Sequence, residues 1–363
     1  MFLHALITAL IFIGVLFVLV IAHEWGHFFS ARRFGVKVHE FGFGFPPKIW
    51  GRKSKKSGTE YTFNWIPLGG FVRLKGEDGA DKNDTDSFGH KPMWQRLIIL
   101  FAGVAMNFVV GYLLFVGVYM YGVELPTQLA EPGAQISNER PLIAEVLKDS
   151  PAGHAGFKPG DELISVGGTR VAHTQEAYDY LKAHPKGAIA FEVRRAETVV
   201  PLSAEAIDLP EGVHGIGVRM TDVSLQKYSV GGALRIAAKD TWYTSGMIFK
   251  ALGTLVKTLF NTGTIEQGVS GPVGIAIITG EVARTGLSPL LQLMAVLSIN
   301  LGVLNMMPFP ALDGGRALFV VLQQLFGKRL KTEVEQVAHL VGFGLLMALV
   351  IVVTVRDLFH LVK

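Results

Sequence analysis

No cysteine occurs among the 363 residues. That absence removes disulfides, thiolate nucleophiles and cysteine-ligated zinc, and leaves histidine and carboxylate side chains as the strong metal ligands on offer. Charge is scarce as well. Charged residues make up 18 % of the chain against 50 % hydrophobic ones, and mean hydropathy is +0.38. Such a balance is too apolar for a soluble globular protein of this length. A net charge of only +4 gives no electrostatic footprint for nucleic acid, and no nucleic-acid partner is expected. No internal repeat is visible. Glycine and phenylalanine are plentiful, with 42 and 24 copies, and glycine in particular is commoner in membrane helices than in soluble ones.

Phe2–Ala22 is nearly continuous apolar sequence, close to the ~20 residues that cross a bilayer. A signal peptide is the competing reading, but the segment lacks a positively charged start and no small-residue cleavage site follows. The run flows instead into His23-Glu24-Trp25-Gly26-His27. Further spans are expected at Leu97–Tyr121, where Ala102, Gly103 and Ala105 permit close helix packing, at Leu287–Met307 and at Val334–Leu361. Val230–Phe260 is helical in pattern but is interrupted by Lys239, Asp240, Lys250 and Lys257, which suits a surface-docked helix.

Two intervals differ in character. Val36–Lys75 carries Gly42, Gly44, Pro46, Pro47, Pro67, Gly69 and Gly70, while Tyr61, Phe63 and Trp65 alternate with Thr62 and Asn64. This is strand periodicity. It fits an amphipathic β-hairpin or small sheet against the membrane, and equally an ordinary cytoplasmic loop. Glu124–Lys227 reads as soluble, with β-rich runs such as Ala188–Val193, a turn at Gly167-Gly168 and a helix near Thr174–Ala183. The expected organisation is a membrane half at 1–123, a soluble domain at 124–227 and a second membrane half at 228–363.

Orientation follows from charge. Arg32–Arg96 holds 13 basic and 7 acidic residues, whereas Glu124–Lys227 holds 10 basic and 15 acidic. The positive-inside rule puts the first interval in the cytoplasm and exports the second. The short loop Lys328, Arg329, Lys331 then returns to the cytoplasm, and both chain ends lie outside.

His23 and His27, at i and i+4, project from one helix face and can grip one zinc ion. Glu24 stands beside the first of them, placed to take a proton from water whose pKa the metal lowers towards ~7. The chemistry this suggests is attack of water on a peptide carbonyl. Chance occurrence of so short a motif is the plain alternative. Here, however, the motif continues an apolar span, where ionisable groups are costly and functional by default. A catalytic zinc needs a third protein ligand. The candidate is Asp313 in Asn305-Met306-Met307-Pro308-Phe309-Pro310-Ala311-Leu312-Asp313-Gly314-Gly315, at the cytoplasmic end of the third span. Taken alone, the segment would favour Asp313 as a solvated N-cap of the following helix.

His23-Glu24-Trp25-Gly26-His27, the Asn305–Gly314 segment and Ser270-Gly271-Pro272-Val273-Gly274-Ile275 together resemble the site-2 protease family, and the bacterial regulator-of-sigma-E type in particular. The resemblance covers almost the whole chain. It implies an α-helical polytopic membrane protein of four transmembrane helices, with a membrane-associated β-hairpin around Gly42–Val72 and an inserted soluble α+β PDZ domain. It implies an intramembrane zinc endopeptidase with one Zn2+, His23, His27 and Asp313 as ligands and Glu24 as base. Asn305 would position substrate or stabilise an oxyanion. Substrates would be transmembrane segments of single-pass proteins, such as anti-sigma-factor-like regulators or signal-peptide remnants, cut in regulated proteolysis at a bacterial inner membrane. The active site would lie near the cytoplasmic side, with the PDZ domain and both termini outside. The hairpin would offer an edge strand to extended substrate. Ser150–Gly168 is the most PDZ-like stretch, and such a domain would bind a peptide or C-terminus, or exclude bulky substrates. Two features depart from the family pattern: there is room for one PDZ module rather than two, and Val104 stands where many members have proline. Asn107, three residues on, reads either as a hydrogen bond across helices or as packing glue. The rival functions are a catalytically inactive PDZ scaffold and a metal transporter.

Overall fold

The structure is a computed structural model that describes residues 2–77, 79, 81, 83–208, 214–262, 270–326 and 332–362. The basic loop Lys328, Arg329, Lys331 lies outside these residues. The chain forms two compact units, one of Met1–Gly117 with Ala237–Lys363 and one of Val118–Ile236. The second is a few residues wider at each end than the soluble interval expected at 124–227.

Among the described residues, four helices are long and apolar enough to cross a membrane: Phe2–Arg33, Met93–Tyr121, Leu287–Met306 and Thr332–Val362. Their outward faces are what a soluble protein would hide; Leu10 and Leu340 are 60 % and 72 % exposed. The first helix does not stop at Ala22 but runs through the His-Glu motif to Arg33. It ends where Gly35 adopts a left-handed φ of 69°. Arg32 and Arg33 in its last turn complement the carbonyl end of the dipole. The third long helix stops at Met306 because Met307 precedes a proline and is held extended, with ψ 139°.

Val230–Thr262 forms a 33-residue helix that is not among the four apolar ones, and its Trp242 and Tyr243 are exposed. The Ser270–Ile275 motif opens a separate helix, Pro272–Thr285, with proline in its first turn. Asp357 from the last long helix caps it, its Oδ2 accepting from the N–H groups of Gly271 at 3.0 Å and Gly274 at 2.8 Å. This helix packs against the first one, so closely that a Cβ at Gly280 would lie 2.5 Å from the Thr8 side chain.

Between the first two long helices, strands β1 (Val38–Lys53) and β2 (Glu60–Leu74) pair with one another. The pair folds over itself. Phe41 faces both Val72 and Tyr61, and Phe43 faces both Gly70 and Phe63, so Glu40–Phe43 is central and Gly70–Leu74 is an edge. The alternation seen in the sequence is inverted relative to a soluble sheet. Thr62 and Asn64 are buried, with Asn64 Nδ2 donating to Gly44 O at 3.0 Å, while Tyr61, Phe63 and Trp65 point outward. An aromatic face turned out and a polar face turned in suit an apolar surrounding.

The unit Val118–Ile236 is an α+β domain on a seven-stranded sheet. Its strand order is Val123–Pro126, Val218–Lys227, Gln135–Val146, Glu162–Val166, Ala188–Arg195 and Thr198–Glu205, with Thr169–Arg170 pairing to Glu162–Val166. Among the described residues, two short α-helices accompany it. Pro151–Ala155 is capped by Ser150 and ended by Gly156 in the left-handed region, and Thr174–Ala183 lays Ala177 and Leu181 on the core. Ile143, Leu163, Val166, Phe191 and Val193 fill that core.

Candidate metal centre

His23 and His27 lie one turn apart on the first helix, both buried. Asp313 opens the helix Asp313–Phe326, after a turn that brings it back against them. The turn depends on glycine. A Cβ at Gly314 would sit 2.3 Å from Met306 O, and one at Gly315 would sit 2.1 Å from Phe309 O. Ala311 takes a left-handed φ of 80° and donates its N–H to His339 Nδ1 at 2.8 Å, which ties the turn to the last long helix.

Three donor atoms converge. His23 Nε2 and His27 Nε2 are 3.2 Å apart, and Asp313 Oδ2 is 3.1 Å from the first and 3.2 Å from the second. A tetrahedral ion at the usual zinc–ligand distance of about 2.0–2.1 Å sets its ligand atoms about 3.3 Å apart, which this triangle matches. Tautomers agree. Ile99 O can only accept, so His27 Nδ1, 2.8 Å away, carries the proton and the Nε2 lone pair faces the centre. Asp313 Oδ2 is fully buried without a hydrogen-bond donor. Three lone-pair atoms so close in a buried place repel unless a cation sits among them, so the donor set fits zinc.

The second helix meets the first at this point. A Cβ on Gly103 would fall 2.2 Å from His27 Nε2, and one on Gly26 would fall 2.3 Å from Ala102 O. The small residues noted in the sequence thus allow an approach that any side chain would block. Glu24 is buried beside the histidines and lines, with Asn305, Asp313, Arg316 and the edge Gly69–Leu74, a cavity of about 450 Å³. The edge strand comes close enough that a Cβ on Gly70 would be 3.0 Å from Glu24 Cγ. Arg316, ion-paired with Glu77, and the Ile99 carbonyl were not singled out from the sequence. A backbone acceptor leaves no trace in residue identity, and Arg316 carries no motif of its own. Another group, Glu139, His173 and Asp222 in the inserted domain, is largely exposed, and Asp222 already accepts from Thr174 N and Oγ1.

The model of peptidase family M50 matches residues 11–349. The chain belongs to this family. Among its relatives, zinc metalloprotease RasP of Geobacillus kaustophilus is 30 % identical over 96 % of each chain. Zinc metalloprotease RasP of Oceanobacillus iheyensis is 31 % identical, over 97 % of this chain and 98 % of its own. The regulator of sigma-W protease RasP of Bacillus subtilis is 29 % identical over 99 % of each. Among solved structures, the PDZ domain of an SdrC-like protein from Listeria monocytogenes covers 24 % of this chain and 92 % of its own at 17 % identity. Its TM-score of 0.22 is too low to bear on the fold. This M50 member is therefore a zinc metalloprotease of the site-2 type, with four helices able to cross a membrane among the described residues.

Proposed function

We propose that this M50 protease cleaves peptide bonds within or beside the membrane segments of single-pass proteins, using one zinc held by His23, His27 and Asp313. The observation that carries the reading is the buried triangle of donor atoms at 3.1–3.2 Å, formed where a long apolar helix meets the turn after the third one. When bound, zinc would polarise the scissile carbonyl and lower the pKa of water. Glu24, which is not in the triangle, removes a proton from the attacking water and returns it to the leaving nitrogen. Asn305, in the cavity wall, positions the substrate or its developing oxyanion. A helix hides its carbonyls in hydrogen bonds, so the substrate must unwind to be cut. The edge Gly70–Leu74 beside Glu24 offers an extended partner for the unwound stretch.

The membrane is a bacterial inner membrane. The β1–β2 sheet and the site lie towards the cytoplasm, and the inserted domain, which we take as a single PDZ module, lies outside with both termini. Its role is to hold a peptide or C-terminus, or to keep bulky substrates from the site. The substrates are regulators of the anti-sigma-factor kind or signal-peptide remnants. A catalytically inactive scaffold would have no use for an intact set of His23, Glu24, His27 and Asp313. A transporter would spread its ligands along a route rather than gather them in one place. The test is cleavage of a model single-pass substrate in liposomes by the wild type and by Glu24→Gln. Cleavage by the wild type alone supports the reading, and equal cleavage by both overturns it.

A further inference from the structure

From the surroundings of His23 we infer that Asn107 is a positioning residue of the metal centre, whose side-chain amide oxygen accepts the His23 Nδ1 proton and so aims Nε2 at the ion. The inference rests on the proposed role of His23 as a ligand. Asn107 is fully buried on the second long helix, and its side-chain amide is placed with Nδ2 3.0 Å from His23 Nδ1. A histidine that offers Nε2 to a metal carries its proton on Nδ1, and that proton needs an acceptor. For His27 the acceptor is a backbone carbonyl, which no substitution removes. For His23 the group at hydrogen-bond distance of Nδ1 is the Asn107 side-chain amide. The amide of Asn107 has one donor end and one acceptor end of nearly equal shape. With the nitrogen towards His23, two N–H groups would face each other and the buried Oδ1 would have no partner. With the oxygen towards His23, the contact becomes a hydrogen bond.

The bland reading, that Asn107 glues helices together, has its own atoms, and they are backbone ones. Ser298 Oγ of the third long helix donates to the Asn107 carbonyl at 2.8 Å, and Gly302 packs near its Cβ. That tie survives any substitution of the side chain. The amide is left to His23.

The test uses full-length protein in detergent, with zinc affinity measured by competition against a chromogenic chelator and the visible spectrum of the cobalt-substituted protein as a second readout. Asn107→Leu, of similar volume with no acceptor, is expected to weaken zinc binding about 10–100-fold and to alter the cobalt spectrum. Asn107→Asp, which keeps an acceptor but has no N–H, is expected to bind zinc within about threefold of wild type, in keeping with the carboxylate–histidine–metal arrangement. Unchanged zinc affinity in Asn107→Leu, with only the unfolding temperature of the zinc-free protein lowered, would show packing glue and overturn the inference. Should Asn107→Leu fail to fold, Asn107→Asp decides: near-wild-type affinity supports the acceptor role, and a loss as large as that of His23→Ala overturns it. His23→Ala also separates the two levels of argument, because wild-type affinity in that variant would overturn the ligand role of His23 itself.

Discussion

Glu24 and its two neighbouring histidines are all buried, yet the proposed chemistry gives them different duties. Glu24→Gln keeps the shape and the three donor atoms. We expect full zinc content by metal analysis, and cleavage lowered at least 10²–10⁴-fold, the usual range for loss of a general base. His27→Ala removes a ligand, so zinc content and cleavage should fall together. The motif residues were legible in the sequence because i, i+4 spacing fixes two side chains on one helical face without knowledge of anything else. Their partners were not. Ile99 acts through its carbonyl, and Asn107 could be read as an interhelical hydrogen bond but not assigned to His23, because nothing in its identity says which ring it meets.

The long helices were legible as elements because an apolar run of about 20 residues has few other uses. The β1–β2 pair was legible only as one of two equal readings, since alternation with aromatics on one face suits a loop in water as well as a sheet in lipid. Only the burial of Thr62 and Asn64 shows which face is inward. The close crossing of the first two long helices leads to a prediction at this scale. Gly103→Val has to place atoms where the His27 ring lies, so it should displace that ring and lower zinc retention. Gly117→Val, on the same helix with open space at its Cβ, should leave zinc content unchanged. In the inserted domain, Asp161 is buried just before the strand Glu162–Val166. Burial alone would raise its pKa, but the double hydrogen bond from Arg195 and the N–H of Lys158 hold it below the ordinary carboxylate value. A depressed folded-state pKa contributes stability that is present above the unfolded value of about 3.9 and is lost as pH falls through the folded value. Hydrogen exchange at Leu163–Val166 should therefore quicken as pH drops below about 4, beyond the intrinsic pH dependence of exchange, and Arg195→Leu should quicken it already at neutral pH.

For the whole molecule, the orientation and the assembly of the centre make separate demands. The charge reversal between Arg32–Arg96 and Glu124–Lys227 leads us to expect Lys55 in the cytoplasm and Lys182 outside. The natural lack of cysteine makes this simple to check, because Lys55→Cys and Lys182→Cys each create a single labelling site. A membrane-impermeant thiol reagent on intact spheroplasts should label Lys182→Cys alone; the reverse pattern would invert the topology. The centre itself exists only if the first long helix and the turn after the third come together, since Asp313 and the histidines belong to opposite ends of the chain. Zinc per purified protein in Asp313→Ala, beside wild type, tests that most directly. Asp313→Ala should retain zinc weakly and lose cleavage. An N-cap aspartate would instead cost about 0.5–2 kcal/mol of stability and leave zinc in place. Full zinc occupancy with normal cleavage in Asp313→Ala would mean that Asp313 is not a ligand of the centre.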